Sequence, residues 1–258
     1  MNSVTLAFDE QGSGLPLIIL HGLFGSARNW QSHARALADS YRVISVDQRN
    51  HGRSPHTRKH GYAEMAEDLA HLIGQLGLRE VTLLGHSMGG KTAMTLALQG
   101  TVDIARLVLV DIGPMAYADQ HTPIIEAMLA MPLTDISRRQ QADAFLAHTV
   151  DDPTLRQFLL QNLQLGVDGA AWRINLVSLL ASMPALTGAL PVPMEARFEG
   201  STHVIRGSLS DRVTEDCLPA FRARFPGLQV HTVEGAGHWP HAEAPGAFRS
   251  CLERALLA

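Results

Sequence analysis

Apolar positions in the first 111 residues follow two alternating rhythms. Short, near-continuous runs at Leu17–Leu20 (LIIL), Val43–Val46 (VISV), Val81–Leu84 (VTLL) and Leu107–Val110 (LVLV) are too short for helices. They are rich in β-branched residues and read as strands buried on both faces. Between them, apolar residues recur every three or four positions. Trp30, Ala34 and Leu37 predict a helix over about 27–38, Met65, Leu69, Leu72 and Leu76 one over 62–76, and Lys91–Gln99 a third. Val4–Phe8 alternates as an opening strand, turned by Gln11-Gly12-Ser13-Gly14. Strands alternating with helices predict an α/β fold with a mostly parallel central sheet flanked by helices.

The alternation stops after Asp111 for some 85 residues. Helical spacing marks 123–131, 136–147, 155–165 and 172–181, no strand is evident, and Pro184, Pro191 and Pro193 suggest a return linker. Strand and helix patterns then resume at Thr202–Arg206, 214–224, Leu228–Val233 and 244–257. The expected organisation is a core of residues 1–111 and 201–258 with a helical insertion at 112–200. Such an insertion leaves and rejoins the sheet at the carboxyl ends of its strands and is expected to cover them as a lid.

Composition narrows the classes. A net charge of -4 and a pI near 6.3 give no basic surface for nucleic acid or an anionic membrane. Residues 112–200 hold nine acids against five arginines, which mildly disfavours an anionic substrate tail. Cys217 and Cys251 have no metal-site spacing and read as free thiols in a reducing compartment. The N-terminus lacks a basic region followed by an apolar run, and no apolar stretch approaches the ~20 residues of a membrane span. A soluble, cytoplasmic protein is expected, with no indication of its oligomeric state.

The candidate chemistry sits where the third run meets its helix. Gly85-x-Ser87-x-Gly89 has the spacing of a nucleophile elbow, in which a serine occupies a strained strand-to-helix turn and flanking side chains would collide with neighbouring backbone. Gly85-x-x-x-x-Gly90-Lys91-Thr92 also satisfies the phosphate-loop pattern, with Asp111 as a magnesium partner. The remaining chain favours the elbow. A serine hydroxyl needs an imidazole as base, and His238 follows the last strand in the flexible run Gly235-Ala236-Gly237. Oxyanion donors are expected from the N–H of Met88 and from the loop after Leu20, where Leu23 is favoured and Phe24 is second. The phosphate-loop reading leaves all of these idle; the elbow reading leaves Lys91 without a catalytic duty. His21, His51, Asp47 and Arg49 are expected to shape loops, His86 to pack against neighbouring strands, and His241 to start the last helix.

Longer motifs carry a family resemblance. His21-Gly22-Leu23-Phe24-Gly25-Ser26, Asp47-x-Arg49-Asn50-His51-Gly52-x-Ser54-Pro55, Gly85-His86-Ser87-Met88-Gly89-Gly90-Lys91, Asp111-Ile112-x-Pro114, Trp172-Arg173-x-Asn175 and Gly235-Ala236-Gly237-His238-Trp239-x-His241 span nearly the whole chain. Together they resemble the α/β-hydrolases, and within them the YbfF-type esterases and their abhydrolase-domain relatives. The resemblance implies a serine carboxylesterase without metal or cofactor, acting on small esters or on acyl thioesters such as acyl-CoA. The same groups also serve C–C bond hydrolases, perhydrolases and lyases.

Two positions compete for the acid that orients His238. Many α/β-hydrolases place it in a Gly-x-x-Asp loop after the penultimate strand, but that slot holds Ser210 and Asp211 falls one place late. In the YbfF-type enzymes an aspartate at the position of Asp111 is the proposed acid, joined by a serine at the position of Ser210. Asp111 is therefore favoured, with Asp211 the alternative. Trp239, Trp172, Phe145 and Met115 are expected to line the substrate pocket.

Overall fold

A computed structural model of the chain describes residues 3–167 and 169–257. In order the elements are β1 (Phe8–Gln11), β2 (Leu15–Leu20), α1 (Gln31–Leu37), β3 (Tyr41–Val46), α2 (Tyr62–Gln75), β4 (Val81–His86), α3 (Met88–Gln99) and β5 (Ile104–Val110). Then follow α4 (Thr122–Ala130), α5 (Arg139–Leu146), α6 (Pro153–Leu160), β6 (Leu163–Gly166), β7 (Gly169–Trp172) and α7 (Leu176–Thr187). The chain closes with β8 (Ser201–Gly207), α8 (Leu218–Arg224), β9 (Leu228–Val233), α9 (Pro240–Glu243) and α10 (Pro245–Leu257).

Seven strands form one sheet in the order β1-β3-β2-β4-β5-β8-β9, parallel except for the β1–β3 pair. All six residues of β4 are buried at its centre, as its unbroken apolar run requires. One apolar layer packs Leu69, Met94, Leu107 and Phe221 against one face, and another packs Trp30, Val108, Phe248 and Leu252 against the other. Because the strands are parallel, their carboxyl ends share an edge, where a ligand can reach several loops at once. His21, Asp47, Ser87, Asp111, Ser210 and His238 all follow strand ends there.

Local pattern and structure part at three places. The opening strand is Phe8–Gln11 rather than 4–8. Its polar sequence shows no strand signal, and antiparallel pairing with β3 supplies what propensity lacks. Between β5 and β8, a helix expected to run to 165 stops at Leu160, and Leu163–Gly166 pairs with Gly169–Trp172 as a hairpin. Gly169 has φ +113°, which lets the chain reverse. Trp172 thus ends a strand, and the following helix begins only at Leu176, with the Asn175 side chain accepting from the Ser178 N–H. Finally, Pro184 lies inside α7 rather than in a linker.

The segment between β5 and β8 has its own apolar centre around Ile125, Met128, Leu159, Leu179 and Met183. That centre is continuous with Phe24, Tyr62, Met65 and Met88 of the sheet domain, so the segment rests on the strand-end edge. No described helix is long and apolar enough to cross a membrane.

Candidate active site

Ser87 is the single residue linking β4 to α3, and its φ of 50° is left-handed. A side chain at Gly85 would put Cβ 2.5 Å from the Gly89 carbonyl oxygen, and one at Gly89 would meet Leu20 O at 2.4 Å. The turn is therefore closed to larger residues at both positions. It is also too tight for the phosphate-loop reading: Gly85 lies within the strand and Gly90 within the helix, so no cradle separates them.

The His238 ring lies between Ser87 and Asp111. Its Nε2 is 3.1 Å from Ser87 Oγ, and its Nδ1 is 2.8 Å from Asp111 Oδ2. An ionised carboxylate can only accept, so Nδ1 carries the proton and Nε2 faces the hydroxyl with its lone pair. Asp111 is fully buried and, like Ser87, holds a left-handed backbone, with φ 49°. Gly207 N–H donates to its Oδ1 at 3.1 Å, and the Ser210 hydroxyl donates to its Oδ2. Asp211 instead is 78% exposed, and its carboxylate lies 3.4 Å from Arg212 Nε rather than on the imidazole.

His86 does more than pack. Its Nε2–H donates to the His238 carbonyl at 2.9 Å, tying the loop that carries the imidazole to the strand that carries the serine. Burial, reinforced by the charges of His241 and His238, holds the His86 pKa well below the usual histidine value, so it remains a neutral donor.

Two amides beside Ser87 remain open. Met88 is the first residue of α3, so no intrahelical carbonyl reaches its N–H. The Leu23 N–H has no acceptor among the described residues, whereas the Phe24 N–H is taken by His51 Nε2 at 3.3 Å. His51 is fixed in turn by its Nδ1–H donating to Arg49 O at 3.0 Å, and burial pushes its pKa well down. His21 acts similarly, donating from Nδ1 to Gly22 O and accepting the Gln48 N–H at Nε2. Asp47 accepts from the Ala27 and Arg53 amides, while Arg49 forms a buried ion pair with Asp68 at 2.6 Å. These residues shape the loops, and none lines the space at Ser87.

The Trp172–Asn175 motif anchors the segment between β5 and β8. Asn175 N–H donates to Asn50 O at 3.0 Å, Asn175 Nδ2 donates to Asn50 Oδ1 at 3.0 Å, and His56 Nε2 donates to Arg173 O at 2.9 Å.

Two spaces meet at Ser87 and His238. A narrow cavity of about 50 Å³ runs along α3 and is bounded by Tyr62, Lys91, Tyr117, Met183, Leu186 and Arg212. An open cleft passes His86 and leads out between Ile124, Leu155, Phe158 and Trp239. Trp239 is thus at the site. The other three expected pocket residues are not. Trp172 donates its Nε1–H to Met128 O at 2.9 Å inside the intervening segment, and Phe145 packs into that segment's apolar centre. Met115 folds back to place its sulfur 3.0 Å from the Tyr117 hydroxyl. Of Tyr62, Lys91, Tyr117, Met183, Leu186 and Arg212, Lys91 had a readable signal: it stands one helical turn after Ser87, the residue that caps α3.

Residues 16–245 match the family model described as alpha/beta hydrolase fold. The chain belongs to the α/β-hydrolase family. This α/β-hydrolase is 39% identical over 254 residues to the zebrafish (Danio rerio) sn-1-specific diacylglycerol lipase ABHD11, covering 95% of this chain and 79% of that one. It is 36% identical over 248 residues to Esterase YbfF of Escherichia coli, covering 96% and 95%. A solved structure titled Marine microorganism esterase superposes with a TM-score of 0.93 at 37% identity, covering 97% of this chain and 99% of that one. The relatives are esterases and lipases, and the family resemblance in the sequence motifs is met by the fold.

Proposed function

We propose that this α/β-hydrolase is a serine esterase that cleaves carboxylic esters through an acyl-enzyme. The observation that carries the reading is the one imidazole whose two nitrogens face Ser87 Oγ and Asp111 Oδ2 at 3.1 and 2.8 Å. His238 Nε2 takes the Ser87 proton as Oγ attacks the ester carbonyl. Asp111 keeps Nδ1 protonated and stabilises the imidazolium as it forms. The open N–H groups of Leu23 and Met88 receive the oxyanion; losing one such donor typically costs ~3–4 kcal/mol in the barrier. The leaving alcohol takes the proton from Nε2, and water deprotonated by the same nitrogen then releases the acid. No step calls for a cofactor.

The leaving group must lie where Nε2 can protonate it, which suits the cleft flanked by Trp239. The acyl group then enters the narrow cavity along α3. Residues 112–200 act as the lid over both. Acyl thioesters such as acyl-CoA belong to the same substrate class, because a thiolate leaves more readily than an alkoxide and the open cleft admits a long leaving group.

A fluorophosphonate should label Ser87 in the wild type and leave Ser87→Ala unlabelled. A panel of p-nitrophenyl esters and acyl-CoAs should give a burst of released leaving group, and a panel of diketones should not be cleaved. Cleavage of diketones without ester turnover would replace this reading with C–C bond hydrolysis.

A further inference from the structure

The cavity along α3 holds more positive charge than an apolar acyl chain needs. Lys91 is 1% exposed, and among the described residues its ammonium makes one hydrogen bond, to Gly188 O at 2.6 Å. Otherwise it lies over the Tyr117 and Tyr62 rings, 4.9 and 5.6 Å from their centroids. The Arg212 guanidinium is 5.4 Å from the same Tyr117 ring and forms a second cationic wall. Arg212 meets Gln120 Oε1 at 2.6 Å and the exposed Asp211 at 3.4 Å, and both of these line the adjoining cleft rather than the cavity. Among the described residues no aspartate or glutamate lines the cavity, so the negative charges described within residues 112–200 lie elsewhere. That removes the ground for expecting an anionic substrate to be disfavoured.

A carbonyl and two ring faces orient an ammonium without neutralising it. A buried charge without a counter-charge is costly, and an apolar side chain of similar length would fill the place at less cost. Burial, with Arg212 nearby, lowers the Lys91 pKa to about 8, which leaves it mostly charged at neutral pH and short of an anion. The two tyrosines do not supply one: burial raises both hydroxyl pKa values, and each hydroxyl donates to a carbonyl, Tyr62 to Leu186 O and Tyr117 to Arg212 O. His121, also on the cavity wall, is held neutral by burial and by Arg212, its pKa lowered to about 4.

We propose that the cavity is an anion subsite in which Lys91 and Arg212 receive a carboxylate at the far end of a short acyl group. The substrates favoured at this site are then half-esters of short dicarboxylic acids. The proposal rests on the esterase reading and deepens it by naming the acyl class. The small volume of the cavity, about 50 Å³, limits the acyl chain, while the adjoining cleft of about 480 Å³ leaves room for the alcohol.

The test compares monoethyl succinate with ethyl 4-methylpentanoate, in which an isopropyl group replaces the carboxylate at similar size. Hydrolysis of both is followed by release of ethanol. The wild type should favour the half-ester at least tenfold in kcat/KM. Lys91→Met and Arg212→Gln should each cut that ratio at least tenfold. Should Lys91→Met not fold, Arg212→Gln, altered at the cavity's outer wall, reads the same ratio. Calorimetry on Ser87→Ala, with both cations intact, should show monoethyl succinate binding at least tenfold more tightly than the neutral ester, and less so at high salt. A wild-type ratio at or below one, with both esters cleaved, overturns the anion subsite and leaves the esterase reading standing. If neither ester is cleaved and neither binds, the esterase reading itself falls.

Discussion

The Ser210 hydroxyl donates to Asp111 Oδ2, the same carboxylate oxygen that faces His238 Nδ1. With Gly207 N–H on Oδ1, both oxygens of this fully buried carboxylate are hydrogen-bonded. Under the esterase reading, Asp111→Asn should lower kcat on p-nitrophenyl butyrate by ~10³–10⁴-fold, because an amide can stabilise the wrong tautomer. Ser210→Ala should cost about tenfold, as expected for one hydrogen bond to a charged group. Asp211→Asn should stay within about twofold. A large loss at Asp211 with little at Asp111 would reverse the assignment.

The elbow predicts a folding defect rather than a kinetic one. In Gly89→Ala the added methyl would lie 2.4 Å from Leu20 O and 2.7 Å from His21 O. Both are backbone atoms of the neighbouring strand end and cannot step aside. Gly89→Ala should lose soluble protein, or lower the midpoint of thermal unfolding by the equivalent of about 3 kcal/mol or more. Wild-type thermal stability in this variant would contradict so close an approach of strand and helix.

Asn175 ties the segment between β5 and β8 to the 47–57 loop. Its side chain donates to Asn50 Oδ1 and Thr57 O at 3.0 and 3.2 Å and accepts from Ser178 N–H at the start of α7. Asn175→Ala removes two half-buried hydrogen bonds and a helix cap and should cost about 2 kcal/mol in urea unfolding. The loss should come with higher KM, since α7 carries Met183 and Leu186 of the cavity.

Acid should unfold the protein through buried imidazoles. Burial lowers the pKa of His60 and His241 to about 3, with Arg49 adding to the effect at His60 and His33 at His241. In the unfolded chain each returns to about 6.5. Stability from these groups is therefore complete above about pH 6.5 and is lost as pH falls toward 3, by up to ~1.4 kcal/mol per unit for each group. The His241 ring stacks on Trp30 at 4.4 Å, and its Nδ1 has no hydrogen-bond partner among the described residues. His241→Phe keeps the stack and removes a protonation site, so its unfolding free energy should fall less steeply than the wild type's between pH 6.5 and 4. An unchanged acid slope would show that His241 is not protonated on unfolding.

Much of the sheet was legible because each central strand is an apolar run buried on both faces, as at Leu17–Leu20 and Val81–Leu84. Phe8–Gln11 was not, because an edge strand has an exposed face and its polar residues look like a turn. The hairpin at Leu163–Trp172 was hidden because Leu155, Leu159 and Leu163 keep helical spacing, and only pairing across Gly166 and Gly169 makes the last of them a strand residue. At the site, the spacing around Ser87 and the glycines before His238 pointed to the strand-end edge. The cavity wall did not show, since Tyr62, Tyr117, Met183 and Arg212 come from four separate segments and meet only in three dimensions. Trp172 and Phe145 looked like pocket residues because large apolar side chains serve a helical segment's own centre equally well, and Met115 because its turn back onto the Tyr117 hydroxyl leaves no mark in the sequence.

The bond from the His86 ring to the His238 carbonyl joins neighbours of the attacking group and its base, 152 positions apart along the chain. Under the esterase reading, catalytic alignment is thereby soldered to the middle of the sheet. On heating, turnover should persist until the molecule as a whole comes apart, so that remaining activity would serve as a gauge of intact protein.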